Sequence, residues 1–106
     1  MHKTLIVARL DPADTGRVAE VFAESDRGEL PKLVGVSGRT LFSFHDLYFH
    51  LIESNRALGP GLSGVSAHPL FTEVTAMLSS YVRPYDPSWR EPGDAMATPF
   101  YHWHDG

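Results

Sequence analysis

Hydrophobic and polar residues alternate through two adjoining runs that fill residues 38–53 and meet at the polar pair His45-Asp46. Alternating aromatic and β-branched residues are typical of neighbouring antiparallel strands. Each run carries an ionisable side chain where an ordinary strand carries Thr or Val. If His45-Asp46 forms a tight hairpin, Arg39 and His50 lie near its open end and project onto the same face of the sheet. The pattern therefore predicts a hairpin that brings both side chains to one bound molecule.

Before this hairpin, the pattern predicts one strand and one helix. A β-branched run covers residues 3–10, and apolar residues then recur at helical spacing in residues 14–25, with Asp14 as the expected N-cap. Residues 26–31 interrupt this spacing, and we expect an irregular connection there. Gly35 and Gly38 are expected to form a bulge or a bend at the entry to the hairpin.

After the hairpin, the pattern predicts a loop, a second helix and a final strand. Residues 55–66 are rich in glycine and are expected to form the loop. Pro69 suits the first position of an amphipathic helix that ends at residues 79–80. Residues 83–94 are rich in proline and predict an extended connector, and residues 95–104 predict the closing strand.

This order of elements predicts an α+β fold of the ferredoxin-like βαββαβ type, in a single domain that spans residues 1–106. The sheet is expected to be antiparallel, with both helices on one face. The other face would expose a large apolar surface, and packing two such sheets face to face is the common way to cover it. We therefore expect a homodimer built as a dimeric α/β barrel.

Composition narrows the classes of function. The chain has 106 residues, 42% hydrophobic residues and a formal net charge of −4, which disfavours a nucleic-acid surface because such surfaces need lysine and arginine to displace counterions. It contains no cysteine, so disulfides, thiolate nucleophiles and cysteine-bound metals are excluded. No apolar run has the length of a signal peptide core or a membrane span, and we expect a cytoplasmic protein without membrane contact.

Three side chains are candidates for chemistry. His50 is a candidate acid or base because imidazole exchanges protons near neutral pH, although a satisfied core histidine has the same pattern. Arg39 is suited to hold an enolate or a phenolate, and its alternative is a surface or interface arginine. Asp26 follows a helix end and is expected to orient an imidazole or act as a base, unless it is a solvated loop carboxylate.

Other polar and aromatic residues suggest a binding pocket. His45-Asp46 is interpreted as a structural turn, and His102 and His104 share the spacing of a metal pair but lack a third ligand in a recognised pattern, so no metal is expected. No phosphate loop, nucleophile elbow or zinc-helix motif is present, and no cofactor is expected. The side chains predicted to bind the substrate are Phe42, Phe44, Tyr48, Trp103 and His68.

Several ordered motifs together resemble the tetracenomycin-type polyketide cyclase family of aromatic type II pathways. They are Ser25-Asp26-Arg27, Glu29-Leu30-Pro31, Leu33-Val34-Gly35-Val36, Arg39-Thr40-Leu41-Phe42, His45-Asp46-Leu47-Tyr48, His50-Leu51, His68-Pro69 with Phe71, and Phe100-Tyr101-His102-Trp103. The resemblance implies a dimeric ferredoxin-like fold and an aldol-type cyclisation with dehydration that closes the late ring or rings of a poly-β-ketone, in an antibiotic or spore pigment pathway. It also implies that Asp26, Arg39 and His50 are the active-site groups.

Two other functions remain open from the sequence. One is a cofactor-free monooxygenase of the dimeric α/β barrel type that acts on polycyclic phenols, and the other is a non-catalytic subunit that binds the polyketide. A transient contact with an acyl carrier protein or the synthase is also possible, although the acidic balance disfavours it unless basic residues gather locally. The residues considered for such a patch are Lys32, Arg56, Arg83 and Arg90.

Overall fold

The computed structural model describes residues 2–55, 69–89, 92–103 and 105. In this part the chain forms four strands, three α-helices and two short 3₁₀ turns. They are β1 (His2–Leu10), a turn at Pro12–Asp14, α1 (Thr15–Asp26), α2 (Leu30–Val34), β2 (Val36–Phe44), β3 (Leu47–Ser54), α3 (Pro69–Leu78), β4 (Val82–Pro84) and a turn at Pro92–Ala95. The strands form one antiparallel sheet in the order β2-β3-β1-β4.

The predicted hairpin is confirmed. β2 and β3 pair in register from Phe44 opposite Leu47 back towards the open end, and His45 occupies the left-handed region at φ 55° in the turn between them. A short polar turn residue tolerates this conformation better than a β-branched one. The amide of Leu10 donates to the carbonyl of Asp46 at 2.9 Å, which ties the turn to the end of β1.

The two predicted helices, α1 and α3, cover the same face of the sheet, as the sequence predicts. Alternate residues of the central strands β1 and β3 point towards α1, and they are among the most buried in the protein. Val18 and Phe22 of α1 pack there against Ala8, Leu10 and Tyr48. The core therefore lies in one layer between the sheet and the helices.

A second cluster continues this layer towards the open end of the hairpin. Leu30 and Val34 of α2 pack on Ile52 of β3, and Phe71 and Val74 of α3 close over them. α2 ends at Gly35, whose φ of 90° lies in the left-handed region where glycine is favoured. This short helix corrects the expectation of an irregular connection over residues 26–31. Pro31 stands near the helix start, where its missing N–H costs nothing.

The final strand is not where the sequence predicts it. β4 is Val82–Pro84 and pairs with Ala8–Leu10, whereas residues 95–104 contribute only an isolated bridge between Met96 and Ile6 within the described part. Pro84 ends an edge strand, a position that accepts a residue without an N–H donor. The strand was missed because the proline content of residues 83–94 predicts an extended connector there.

Asp14 occupies the N-cap position of α1, as the sequence predicts, but its side chain makes no capping hydrogen bond. The carboxylate of Asp11 accepts from the amide of Ala13 in the preceding 3₁₀ turn. α3 begins at Pro69 as predicted, and residues 56–68, which include most of the predicted loop, lie outside the described residues. No described helix has both the length and the apolar content to cross a membrane.

A β-bulge lies at the open end of the hairpin, where the sequence predicts one. Val36 is opposite Ser54 and Gly38 is opposite Glu53, so Ser37 is an extra residue in β2. Strict alternation would place residues 36 and 39 on opposite faces, yet both side chains border the same cavity. The bulge therefore turns Arg39 towards the helices.

Candidate functional site

A cavity of about 240 Å³ lies between the helix-covered face of the sheet and the three helices. Its walls are mainly aliphatic and aromatic side chains, which suits an apolar ligand. Polar side chains reach it from β2, β3, α1 and α3. They are Arg39, His50, Tyr48, Ser25 and Thr75.

Arg39 contacts both other predicted site residues, of which His50 also borders the cavity. Its Nε lies 3.1 and 3.0 Å from the two carboxylate oxygens of Asp26, and its Nη2 lies 2.8 Å from Oδ1. On the opposite side, its Nη1 lies 3.0 Å from Nε2 of His50. A guanidinium has five N–H donors, so Arg39 keeps donors that none of these contacts uses. It is thus an anchored cation with capacity for a further oxygen.

His50 is held as a neutral imidazole. A guanidinium can only donate, so Nε2 of His50 must accept from Arg39 and the ring proton belongs on Nδ1. Burial disfavours the charged form, and the positive charge of Arg39 adds to this, so the pKa of His50 falls from 6.5 to about 3. The imidazole is therefore uncharged throughout the neutral range.

Asp26 does not orient the imidazole directly. Its carboxylate contacts the guanidinium, and Arg39 stands between Asp26 and His50. Both charged partners are partly shielded, with side-chain exposures of 15% for Arg39 and 38% for Asp26. Because Asp26 is the last residue of α1 and Arg39 follows the bulge, the ion pair ties the helix end to the edge strand.

Phe22 of α1 packs against both Arg39 and His50. Its ring centroid lies 4.8 Å from Cζ of Arg39 and 4.9 Å from the His50 ring, which it meets edge-on. Such contacts favour a cation over the ring face and restrict the rotamers of both polar groups. Phe22 is predicted by helical spacing only as a core residue, and nothing in the sequence distinguishes it from Val18.

Tyr48 is the fourth polar group of the site. It is 4% exposed, its ring centroid lies 6.1 Å from that of His50, and it borders the cavity. Burial raises the pKa of its phenol well above the usual value, and the charge of Arg39 opposes this only in part. The phenol of Tyr48 therefore stays protonated, and Tyr48 is the one predicted pocket aromatic that lines this cavity among the described residues.

The other predicted pocket residues do not line this cavity within the described part. Phe42 and Phe44 lie on the opposite, helix-free side of the hairpin, 51% and 62% exposed, and Phe42 borders a separate cavity of about 170 Å³. Trp103 is 68% exposed in a segment without regular structure. His68 lies outside the described residues. Strand parity places Phe42 and Phe44 on this side, because their alternation opposes that of Arg39.

Sequence reasoning missed Ser25 and Thr75 as cavity residues. Ser25 precedes Asp26 in α1, and Thr75 follows Val74 in α3. In the sequence, neither residue differs from the polar residues around it. Both reach the cavity only because of how α1 and α3 pack over the sheet. That arrangement depends on tertiary packing rather than on local pattern.

The fold and the site together define a class of small α+β protein in which a helix-covered antiparallel sheet encloses an apolar cavity bordered by a buried histidine and a partly buried arginine. A model of the polyketide synthesis cyclase family matches residues 2–104. The chain belongs to this family and is accordingly a polyketide cyclase.

Similar proteins come from Streptomyces. The chain is 50% identical over 104 residues to polyketide synthase CurG of Streptomyces cyaneus, with 97% of each chain covered. It is 46% identical over 102 residues to tetracenomycin F2 cyclase of Streptomyces glaucescens, with 96% of this chain and 94% of that protein covered. A solved structure of that cyclase, described as a type-II polyketide cyclase, superposes with a TM-score of 0.93 at 44% identity over the whole of both chains.

Proposed function

We propose that this cyclase closes the late ring or rings of an aromatic polyketide by an intramolecular aldol reaction followed by dehydration. A methylene carbon between two ketones loses a proton, and the resulting enolate forms a C–C bond to a ketone carbon of the same chain. The ketone oxygen takes up a proton, and loss of water then gives the aromatic ring. The observation that carries this proposal is the Arg39 Nη1 to His50 Nε2 contact of 3.0 Å at the border of the apolar cavity.

Arg39 is the group that stabilises developing negative charge. The enolate and the aldolate both place charge on an oxygen, and a guanidinium held by Asp26 and Phe22 is already oriented to receive it. The surrounding apolar walls strengthen that interaction because they exclude water. Asp26 acts through Arg39, as a positioning residue.

His50 moves the proton only after the substrate arrives. In the empty site its Nε2 lone pair is occupied by Arg39, and a second positive charge beside the guanidinium is unfavourable. When a substrate oxygen takes over the Nη1 donor, Nε2 becomes free to accept the methylene proton, and the anionic substrate offsets the charge of Arg39. Binding thus activates the base, and the same nitrogen returns this proton to the aldolate oxygen. In the dehydration it removes the second proton of the same carbon and delivers it to the departing hydroxyl, which leaves as water.

The cavity determines which carbon meets which ketone. A flexible poly-β-ketone can fold in many ways, and apolar walls exclude the folds that do not fit. Because a methylene between two ketones is already acidic, loss of one catalytic group is expected to alter the products at least as much as the rate.

The test compares product distributions for Arg39→Gln, His50→Gln and the matched control Arg9→Gln. Arg9 is also an arginine in an ion pair, 2.7 Å from Asp46, but it lies at the far end of the hairpin and does not border the cavity. With the polyketide supplied by a synthase, we expect Arg39→Gln to lower the yield of the correct ring about 10- to 100-fold. This is less than the roughly 100- to 1,000-fold that one lost oxyanion donor usually costs, because the methylene is already acidic. Arg9→Gln should resemble the unmodified protein.

Two results would contradict the proposal. If Arg39→Gln and His50→Gln both leave rate and products unchanged, neither group belongs to the active site, and a non-catalytic binding subunit becomes the better description. If turnover consumes molecular oxygen in proportion to product, the reaction is an oxygenation instead.

We also propose that two chains pair through the helix-free face of the sheet, here called the open face and defined by Leu5, Val7, Phe42, Phe44, Leu47, Phe49 and Leu51. On the central strands, Leu5, Val7 and Phe49 are half-buried, whereas Ala8, Tyr48 and His50 on the other face are buried. A second copy is the partner whose surface has the same apolar chemistry.

A further inference from the structure

We propose that the hydroxyl of Tyr48 binds a second, non-reacting oxygen of the substrate and so selects which ketone is presented to Arg39. This inference rests on the proposed function, and it adds a residue that positions the substrate without taking part in proton transfer. It predicts a ligand class, namely flat polycyclic or partly cyclised molecules with oxygens on more than one carbon along an edge.

Tyr48 is 4% exposed, and its hydroxyl makes no hydrogen bond to any residue in the described part of the chain. Within the same part, no side-chain nitrogen or oxygen is both sealed from solvent and without a partner. The hydroxyl of Tyr48 therefore opens into space beside it rather than ending in the packed core.

The hydroxyl of Tyr48 gains no stabilising partner from the described residues, and phenylalanine would fill the same volume of an apolar wall without partly desolvating a polar group. A polar group that opens into a cavity takes its partner from water or from a bound molecule. The arrangement is therefore suited to binding a ligand oxygen rather than to stabilising the empty protein.

Tyr48 lies beside the two groups that are proposed to act on the substrate. Tyr48 and His50 are two residues apart on β3, so their side chains lie side by side on the helix-covered face. Arg39 reaches the same place from β2. A poly-β-ketone carries an oxygen on every second carbon, so a chain laid along β3 that places one oxygen at Arg39 brings another near the phenol.

The raised pKa of Tyr48 supports the role of a donor. Its phenol remains protonated at neutral pH, so it donates to a ketone oxygen and does not act as a base. A neutral hydroxyl cannot stabilise a full charge as Arg39 does. The two residues are therefore expected to differ in their kinetic effect, because Tyr48 governs orientation and Arg39 governs the chemical step.

The test measures ligand binding in Tyr48→Phe with two probes. 1,8-Dihydroxyanthraquinone carries oxygens along its edges, and anthracene has a similar flat shape without them. We expect Tyr48→Phe to weaken binding of the first probe about 2- to 10-fold, the range for one neutral hydrogen bond, and to leave binding of anthracene unchanged. The thermal midpoint should be unchanged or higher, because the variant removes a hydroxyl that has no hydrogen-bonding partner among the described residues.

Two control variants accompany this experiment. Tyr81→Phe removes a phenol from a half-buried tyrosine that packs against the core without lining the cavity. Ser43→Ala removes a hydroxyl from the separate cavity of about 170 Å³, which Tyr48 also borders. Neither is expected to change the affinity for either probe.

Specific outcomes overturn the inference. Equal weakening of both probes, or a fall in the thermal midpoint by several degrees, would show that the phenol has a packing role. Weakening by Ser43→Ala would place the ligand in the other cavity. The binding measurements do not depend on turnover, so they test Tyr48 separately from the catalytic proposal. Full cyclase activity in Arg39→Gln and His50→Gln would refute the proposed catalytic roles, and the probe affinities of Tyr48→Phe would still decide whether Tyr48 binds a ligand oxygen.

Discussion

A single contact determines the protonation state of the site. Arg39 donates to Nε2 of His50, and burial acts in the same direction, so the imidazole resists protonation. A histidine that appears in the sequence to be a ready acid–base group is, in the empty protein, a hydrogen-bonded neutral ring. Its reactivity depends on what replaces Arg39 as its partner.

The low pKa of His50 in the folded protein should make the free energy of unfolding depend on pH. His50 has a pKa of about 3 when folded, against 6.5 as the ordinary value, so between these limits the unfolded chain binds a proton that the folded chain does not. The free energy of unfolding should therefore fall as pH drops below 6.5, by up to about 1.4 kcal/mol per pH unit from this group alone.

Denaturant titrations of the unmodified protein and of His50→Gln at several pH values between 4 and 7 measure the effect. The amide of Gln keeps an acceptor for Arg39 but cannot titrate, so its stability should depend less steeply on pH. Parallel curves for the two proteins would mean that His50 titrates normally when folded.

At the scale of elements, the connection from α1 to β2 positions the site. α2 closes one side of the cavity and stops at Gly35, and the bulge two residues later rotates β2 so that Arg39 meets Asp26. Glycine is required at position 35 because its φ of 90° is strained for a residue with a side chain.

Replacement of this glycine should destabilise the protein. We expect Gly35→Ala to lower the free energy of unfolding by about 1 kcal/mol or more, because alanine is strained in the left-handed region. Gly16→Ala is the matched control, since Gly16 lies in α1 and a Cβ there meets nothing within 4 Å. It should be neutral or stabilising by up to about 1 kcal/mol. Equal losses in both variants, measured by denaturant unfolding, would contradict this account of the turn.

Local patterns were sufficient for some elements and insufficient for others. Alternation and a polar turn pair correctly predicted the hairpin, and with it the shared face of Arg39 and His50. α2 and β4 were missed because each contains a proline, and only the surrounding structure shows that the proline occupies a permitted position. The contact of Asp26 with Arg39 rather than with His50 depends on how α1 packs over β2, which no local spacing encodes.

At the scale of the whole molecule, the two faces of the sheet differ sharply. One face is covered by helices and contains the cavity, and the open face presents aliphatic and aromatic residues with exposed Phe42 and Phe44 at its edge strand. An apolar surface of this kind is typical of an interface between protein chains.

We therefore expect the protein to sediment as a dimer that Phe42→Glu weakens. A charge at this position would be desolvated between two apolar sheets, so the dissociation constant should rise at least about 10-fold. Met77→Glu is the control, because Met77 is similarly exposed, at 43%, but lies on α3 away from the open face. A monomer at every concentration, or equal effects of both variants in sedimentation equilibrium, would exclude pairing through this face.

The extra residue in β2 has a consequence for how this protein is compared with others. Insertion or deletion of one amino acid between positions 36 and 39 would reverse the side to which the guanidinium points while every functional group stayed in the chain. Two homologues with identical arginine, histidine and aspartate residues can therefore differ in whether these groups meet at all. Under the mechanism proposed above, a one-residue gap at this point is expected to abolish activity even where all three residues are present.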